Sequence, residues 1–161
     1  MPRRDRTPLH DIHGESNARF TVGAWDAANV AVLEASGSDV RSALEAGLRA
    51  VLQLATAGEP EPPASDRSVP LRAEGDDLAE LFFDLVEDFL DEMEFSPFAC
   101  HGVAVDGVLH RFGGGYVAWG YAMESTAPAP KSILPEVLKM PTVESQADGI
   151  VFRVAMVRVD A

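Results

Sequence analysis

The sequence has few features that would attract nucleic acid or form disulfides. Only 13 basic residues stand against 26 acidic ones, so the formal net charge of the 161-residue chain is −13. A field of that sign repels phosphate backbones, and we expect no direct nucleic-acid binding. A single cysteine, Cys100, excludes an internal disulfide and fits a reducing compartment.

Long hydrophobic runs are also missing. Charged residues interrupt the apolar stretches, and the start, Met-Pro-Arg-Arg-Asp-Arg, lacks the apolar region of a secretory signal. We therefore expect no membrane association and a cytoplasmic location. Hydrophobic residues still make up 47% of the chain, which is enough for one core. Residues 1–18 show no apolar periodicity, which predicts a flexible N-terminal tail before a single domain over residues 19–161.

The most informative stretch is 71–94, where an alternating strand, a capped turn and a long amphipathic helix follow one another. Asp77, with Glu80 three residues later, predicts a capping pair at the helix start. The apolar stripe consists of Leu78, Leu81, Phe82, Leu85, Phe89, Leu90 and Met93. The other face is acidic, with Glu80, Asp84, Glu87, Asp88 and Asp91. This spacing is typical of a solvated face, and a cation-binding surface is the alternative.

The remaining patterns predict mostly strands. These are placed at 19–23, 29–35, 98–105, 108–112, 116–123, about 135–144 and 149–159, with a first helix from near Ser38 and a linker at 56–67. Asp106-Gly107 predicts a tight hairpin turn. Trp119 and Tyr121 share one face of their strand, which favours packing in the core or on the sheet. The order of elements predicts a two-layer α+β fold, a mainly antiparallel sheet with two helices on one face.

The strand, Gly-Asp-Asp-Leu and helix of 71–94 resemble the second half of archease, a family of small proteins that assist the RNA-splicing ligase. Residues 37–52 look like the first helix of that family. The end of the chain, 157–161, is similar to the final archease strand, which closes with an aspartate and one apolar residue. The resemblance covers most of 20–161 and implies an archease-like fold.

The resemblance also implies a metal site. Archeases carry an Asp-His-Thr-Ala-Asp signature whose acidic residues, with the C-terminal aspartate, bind a divalent metal. In the matching stretch, Trp25 replaces the first Asp, Asp26 the His, Ala27 the Thr and Asn29 the second Asp. The implied ligands are therefore Asp26, Asn29 and Asp160, a degenerate site for calcium or another divalent cation. The alternative is that Asp26 and Asn29 bond their own backbone in a tight turn.

A second archease signature, Gly-Thr-Glu-Val-Lys-Ala followed by a hydrophobic residue and Thr-Tyr-His, is partly matched at 135–144. Glu136, Val137, Lys139 and Thr142 persist, with Lys139 one position late. Because the family's lysine lies near the metal site, the resemblance makes Lys139 a candidate cofactor-binding residue. A solvated strand lysine is the alternative.

Two hypotheses for function follow. The first is an archease-like accessory protein, without catalysis of its own, that promotes guanylylation and turnover of the tRNA-splicing RNA ligase through protein contact and a bound metal. The second is an archease-fold interaction or chaperone-like module that has lost the metal site and serves another protein. An enzyme is disfavoured because Cys100 and His101, adjacent in a predicted strand, point to opposite faces and form no nucleophile–base pair.

Overall fold

The computed structural model describes residues 18–56, 62–95, 99–127 and 134–158. The predicted tail, apart from residue 18, and the predicted ligand Asp160 lie outside these residues. The described elements are β1 (Arg19–Val22), β2 (Val30–Gly37), α1 (Val40–Ala55), β3 (Ser68–Gly75), α2 (Leu78–Phe95), β4 (Cys100–His110), β5 (Tyr116–Glu124), β6 (Glu136–Val137), β7 (Thr142–Gln146) and β8 (Gly149–Val157). Neither described helix is long and apolar enough to cross a membrane.

The described strands pair antiparallel in two sheets. The larger sheet has the order β1-β2-β8-β6, and β7 also pairs with β8; the smaller has the order β3-β5-β4. The predicted two-layer α+β class is confirmed, with the strands divided between two sheets instead of one. Strands β2 and β8 pair from Val30 opposite Val157 to Gly37 opposite Ile150, which brings distant parts of the chain together.

The core lies between the helices and both sheets. Helix α1 contacts β2 of the larger sheet and β4 of the smaller one, and α2 contacts mainly β3. Phe82 of α2 packs on Phe152 of β8 with ring centroids 4.8 Å apart. Gly47 of α1 lies against the Phe82 ring, where a Cβ would clash. The absence of a side chain at Gly47 therefore lets the two helices approach each other.

Helix α1 begins with a reciprocal cap. Asp39 Oδ1 accepts a hydrogen bond from Ser42 N at 2.8 Å, and Asp39 N donates to Ser42 Oγ at 3.4 Å. Ser38, near which the sequence predicts the helix start and which is itself a possible N-cap residue, lies one residue before the observed cap. Asp39 is the N-cap because Ser42, three positions later, carries a hydroxyl that accepts a hydrogen bond from the Asp39 N–H. The residue three positions after Ser38 is Arg41, which has no such acceptor.

The acidic face of α2 covers the free edge of the smaller sheet. Three main-chain N–H groups at this edge donate to helix carboxylates: Asp76 N to Glu80 Oε1 at 2.9 Å, Glu74 N to Asp84 Oδ2 at 2.8 Å and Arg72 N to Asp88 Oδ2 at 3.0 Å. Two residues along a strand and four along a helix both span roughly 6–7 Å, so the two spacings match. The next alternate position is Pro70, which has no N–H to satisfy. The face that the pattern assigned to solvent thus protects an edge strand.

The start of α2 also confirms the predicted capping pair. Glu80 N donates to Asp77 Oδ1 at 2.9 Å. The Glu80 carboxylate reaches the N–H of Asp76 and not that of Asp77. The same glutamate therefore closes the helix start and begins the row of carboxylates along β3.

Helix α1 covers the opposite edge of the smaller sheet. Glu45 Oε1 accepts from Val105 N at 2.9 Å, and Arg41 Nη1 donates to Val105 O at 2.9 Å. Val105 lies at an irregularity in β4, where its outward N–H and C=O are both satisfied by helix side chains. Charged side chains thus occupy both edges of this sheet.

The predicted turn at Asp106-Gly107 is wrong. Strand β4 continues through it with a shift in register. Gly107 lies opposite Trp119, and a Cβ there would overlap the Trp119 ring, so this glycine makes room for cross-strand packing and does not form a turn. The hairpin turn lies further on, where Arg111 N donates to Gly115 O at 2.8 Å. Gly114 and Gly115 have φ values of 110° and 83°, which glycine adopts at low cost. The turn is therefore formed by the glycines at 114 and 115, and Asp106-Gly107 remains within the strand.

We predict that Asp88→Ala lowers the free energy of unfolding by about 1 kcal/mol, because it removes the acceptor of the Arg72 N–H. Asp88→Asn keeps an acceptor oxygen and should retain most of that stability. Urea denaturation of the two variants measures the difference. Equal destabilisation by alanine and asparagine would contradict the role of this acceptor.

The pH dependence of the same variants should differ. Burial, and then the charges of Asp84 and Asp91, raise the pKa of Asp88 against the lowering effect of its bond to Arg72 N. Because the folded-state pKa is raised, the wild-type protein should lose stability as pH rises through it, above the ordinary aspartate range. Asp88→Asn should lose less over that range. Parallel stability curves would contradict this expectation.

Candidate functional site

The pairing of β2 with β8 forms a corner between the first hairpin and the end of the last strand. Val30, the first residue of β2, lies opposite Val157, the last of β8. One step beyond, Arg158 N donates to Asn29 O at 2.9 Å. The turn that resembles the archease signature therefore lies beside the end of β8, as the resemblance implies. We call Trp25, Asp26, Asn29 and Arg158 the hairpin corner.

Asp26 organises the turn between β1 and β2. Its Oδ1 accepts from Ala28 N at 2.8 Å and from Val30 N at 2.9 Å. The main chain adds bonds from Asp26 N to Val30 O at 2.9 Å and from Asn29 N to Asp26 O at 3.0 Å. A short side chain whose oxygen accepts from the backbone ahead of it is what such a turn requires. One carboxylate oxygen of Asp26 is thus engaged by the protein itself.

Asn29 adopts the left-handed conformation, with φ of 61°. Asparagine tolerates this region better than most residues, which explains why it ends the turn. Its side-chain Oδ1 accepts from Arg158 Nη2 at 3.2 Å. The oxygen that the resemblance offers to a metal therefore faces a guanidinium.

Trp25 holds the other side of the arginine. The guanidinium carbon of Arg158 lies 4.7 Å from the centroid of the Trp25 ring, within the range of a cation–π interaction. Trp25 is half-buried and packs against the core. Arg158 Nε is buried and has no hydrogen-bond partner among the described residues. The group left without a partner is therefore a hydrogen-bond donor, which would suit an anion and not a cation.

A divalent cation at Asn29 Oδ1 would lie close to the charge of Arg158. A calcium ion about 2.4 Å from Asn29 Oδ1 would lie at most roughly 5.6 Å from Arg158 Nη2. At an effective dielectric constant of about 20, the repulsion between a double and a single positive charge at that separation is about 6 kcal/mol. Within the described ranges, no group of three or more histidine, cysteine or acidic residues could hold a metal ion.

Lys139 lies away from the hairpin corner. It is exposed, between β6 and β7, and the residue before it donates to Ala155 O at 2.9 Å. Along β8, Ala155 is three residues from Arg158, or roughly 10 Å. The described residues give Lys139 no hydrogen bond or ion pair. The structure therefore does not bring it together with Asp26 and Asn29.

Arg158 is the residue that sequence reasoning missed. The available signal was indirect: a tryptophan stands at a position where the resemblance has an acid, and a basic residue follows the last strand. Neither feature alone indicates a contact, because the two positions are 133 residues apart. Only the pairing of β2 with β8 makes them neighbours.

Cys100 is buried, with 3% of its surface exposed. Its Sγ donates to Gly102 O at 3.3 Å. Burial raises the pKa of the thiol to about 11, against the weaker lowering effect of backbone hydrogen bonds. Since the thiolate is the reactive form, this side chain is a poor nucleophile near neutral pH.

No protein-family model and no curated protein matches the chain. Among solved structures, the chain is similar to protein 1598 of Methanobacterium thermoautotrophicum, known from a solution structure. The TM-score is 0.65 at 16% sequence identity, over 88% of this chain and 99% of the other. At this identity the likeness shows the fold alone, a two-layer α+β fold that spans almost the whole of the archaeal protein.

We predict that Asp26→Ala lowers the free energy of unfolding by about 1 kcal/mol, since Ala28 N and Val30 N both lose their acceptor. Asp26→Asn keeps an acceptor oxygen and should fold within about 0.5 kcal/mol of the wild type. Chemical denaturation measures both. An asparagine variant as unstable as the alanine variant would show that the charge of Asp26, and not its acceptor, holds the turn.

The thiol of Cys100 should be inert in the folded protein. A rise of its pKa from 9.0 to about 11 lowers the thiolate fraction at pH 8 about 100-fold, and burial blocks the reagent as well. Titration with a chromogenic disulfide should release almost no colour from the native protein. One equivalent should react after denaturation in guanidinium. Rapid reaction of the native protein would contradict the buried position.

Proposed function

We propose that this chain is a cytoplasmic, non-catalytic accessory protein with an archease-like fold, which acts by binding a protein partner. The resemblance names the RNA-splicing ligase as the first partner to test. The observation that carries the proposal is an apolar sheet face with no covering element among the described residues. This outer face belongs to the smaller sheet and is defined by Leu109, Phe112, Trp119 and Tyr121.

The outer face is apolar at its centre. Trp119 is 42% exposed, Leu109 is 56% exposed and Phe112, in the hairpin turn, is fully exposed. As the sequence predicts, Trp119 packs on the sheet, where its ring lies against Gly107 of the neighbouring strand. This packing covers only part of the ring, and the rest of the side chain is exposed. Because helix side chains occupy both edges of this sheet, a partner cannot easily add a strand there. Contact with the face itself is the remaining mode.

The rim of the outer face carries arginines. Arg72 and Arg111 both bond the carboxylate of Glu74, which lies between them on the surface. The hydrogen bond from Arg111, and then that from Arg72, lower the pKa of Glu74. The three side chains have one net positive charge on a chain whose net charge is −13. An apolar centre with exposed tryptophan and arginine suits a partner that presents apolar side chains ringed by carboxylates.

A second reading is that the module serves a partner other than the ligase. The guanidinium at the hairpin corner favours this reading, because an archease-type metal cannot share Asn29 Oδ1 with it at low cost. The fold likeness is common to both readings and does not separate them. Binding to the ligase therefore decides between the two.

We predict that the chain binds the RNA-splicing ligase of the same organism and accelerates its guanylylation. Phe112→Ser and Leu109→Ser should each weaken the complex about tenfold or more, since each removes an exposed apolar contact. Phe95→Ser is the matched control, because Phe95 is 77% exposed at the end of α2, away from the outer face. Fluorescence anisotropy measures binding, and covalent guanylate labelling measures the reaction.

The outcomes separate the two readings. Neither binding nor acceleration would overturn the ligase assignment and leave the module for another protein. Tight binding by Phe112→Ser and Leu109→Ser would instead keep the ligase as partner and exclude the outer face. Equal weakening by Phe95→Ser would point to general loss of stability, which thermal unfolding of the same samples detects.

A further inference from the structure

We infer that the guanidinium of Arg158 takes the structural place that the archease resemblance gives to a divalent cation, and ties the first hairpin to the end of β8 without a metal. The inference concerns the hairpin corner and does not rest on the proposed protein partner. On this inference, a guanidinium cation replaces the divalent metal ion that the acidic signature would bind.

The contacts of Arg158 span both sides of the corner. Its main-chain N–H donates to Asn29 O at 2.9 Å, and its Nη2 donates to Asn29 Oδ1 at 3.2 Å. The guanidinium lies over the Trp25 ring at 4.7 Å. One side chain thus contacts the beginning and the end of the turn while its backbone extends β8.

The partners of Arg158 are those that a guanidinium prefers over a metal ion. An indole face and a neutral amide oxygen attract a weakly hydrated, planar cation, which stacks and donates at the same time. Calcium instead needs several oxygen ligands, preferably anionic. Trp25 and Asn29 stand where the resemblance has two carboxylates, so the same two exchanges weaken a metal site and build an arginine site.

The charge already present at the corner acts in the same direction. Arg158 is half-buried, and its Nε is a buried donor without a partner in the described part of the chain. A corner with a spare donor and a fixed positive charge repels a second cation. Asp26 Oδ1 is not free to bind a second cation, because that oxygen already accepts two main-chain hydrogen bonds.

The test removes the arginine and asks whether calcium matters. Arg158→Gln keeps a donor but loses the charge and the stacking, and should lower the thermal midpoint by about 2–4 °C. Arg158→Lys keeps a positive charge that can lie over the indole and should lose less. The matched control is Arg153→Gln, because Arg153 lies on the same strand, is exposed and pairs with Glu34. The control should lie within about 1 °C of the wild type.

Each protein is measured with calcium chloride, with a chelator and with neither, at about 0.15 M ionic strength to suppress diffuse binding to the acidic surface. Calorimetric titration of the wild type with calcium alone, up to about 1 mM, should show no saturable heat. The thermal midpoint of the wild type should be the same with calcium and with chelator.

Two results would overturn the inference. Saturable calcium binding by the wild type that Asp26→Asn abolishes would show that the corner still holds a metal. A midpoint of Arg158→Gln equal to that of Arg153→Gln would show that the guanidinium does not tie the corner. If Arg158→Gln does not fold, the midpoint of Arg158→Lys decides. The inference places it below the midpoints of the wild type and of Arg153→Gln, and a midpoint equal to that of Arg153→Gln would overturn the inference.

Discussion

The pairing between β2 and β8 is the constraint on which the rest of the larger sheet depends. It joins Val30 to Val157 and Gly37 to Ile150, so the second strand and the last one form the centre of the sheet. That register places Phe152 beneath Phe82 of α2 and brings the first hairpin beside Arg158. A slip of one residue would turn Phe152 out of the core and separate Asn29 from Arg158.

The acidic composition of the chain has structural uses besides solubility. Carboxylates of α2 satisfy the free N–H groups of β3, and Glu45 of α1 satisfies that of Val105 on β4. Helix side chains therefore protect both edges of the smaller sheet.

The hairpin corner is held by three side chains that suit one another. An indole ring, an amide oxygen and a guanidinium form a mutually compatible set, because the ring face and the oxygen both attract the planar cation. In this chain Trp25, Asn29 and Arg158 contact one another. These contacts join the first hairpin to the end of β8.

Local patterns were enough to determine the fold class, the two helices and the cap of α2, because Asp77, Glu80 and the apolar stripe act within a few residues of each other. They also placed Asp26 and Asn29 in a turn, whereas the position of that turn beside the last strand was implied only by the resemblance. The contact of Arg158 with Trp25, the continuous strand through Asp106-Gly107 and the division into two sheets were decided by tertiary structure. Each depends on residues distant in sequence, such as Trp119 against Gly107 or β8 against β2, and no local preference records which distant strand will pair.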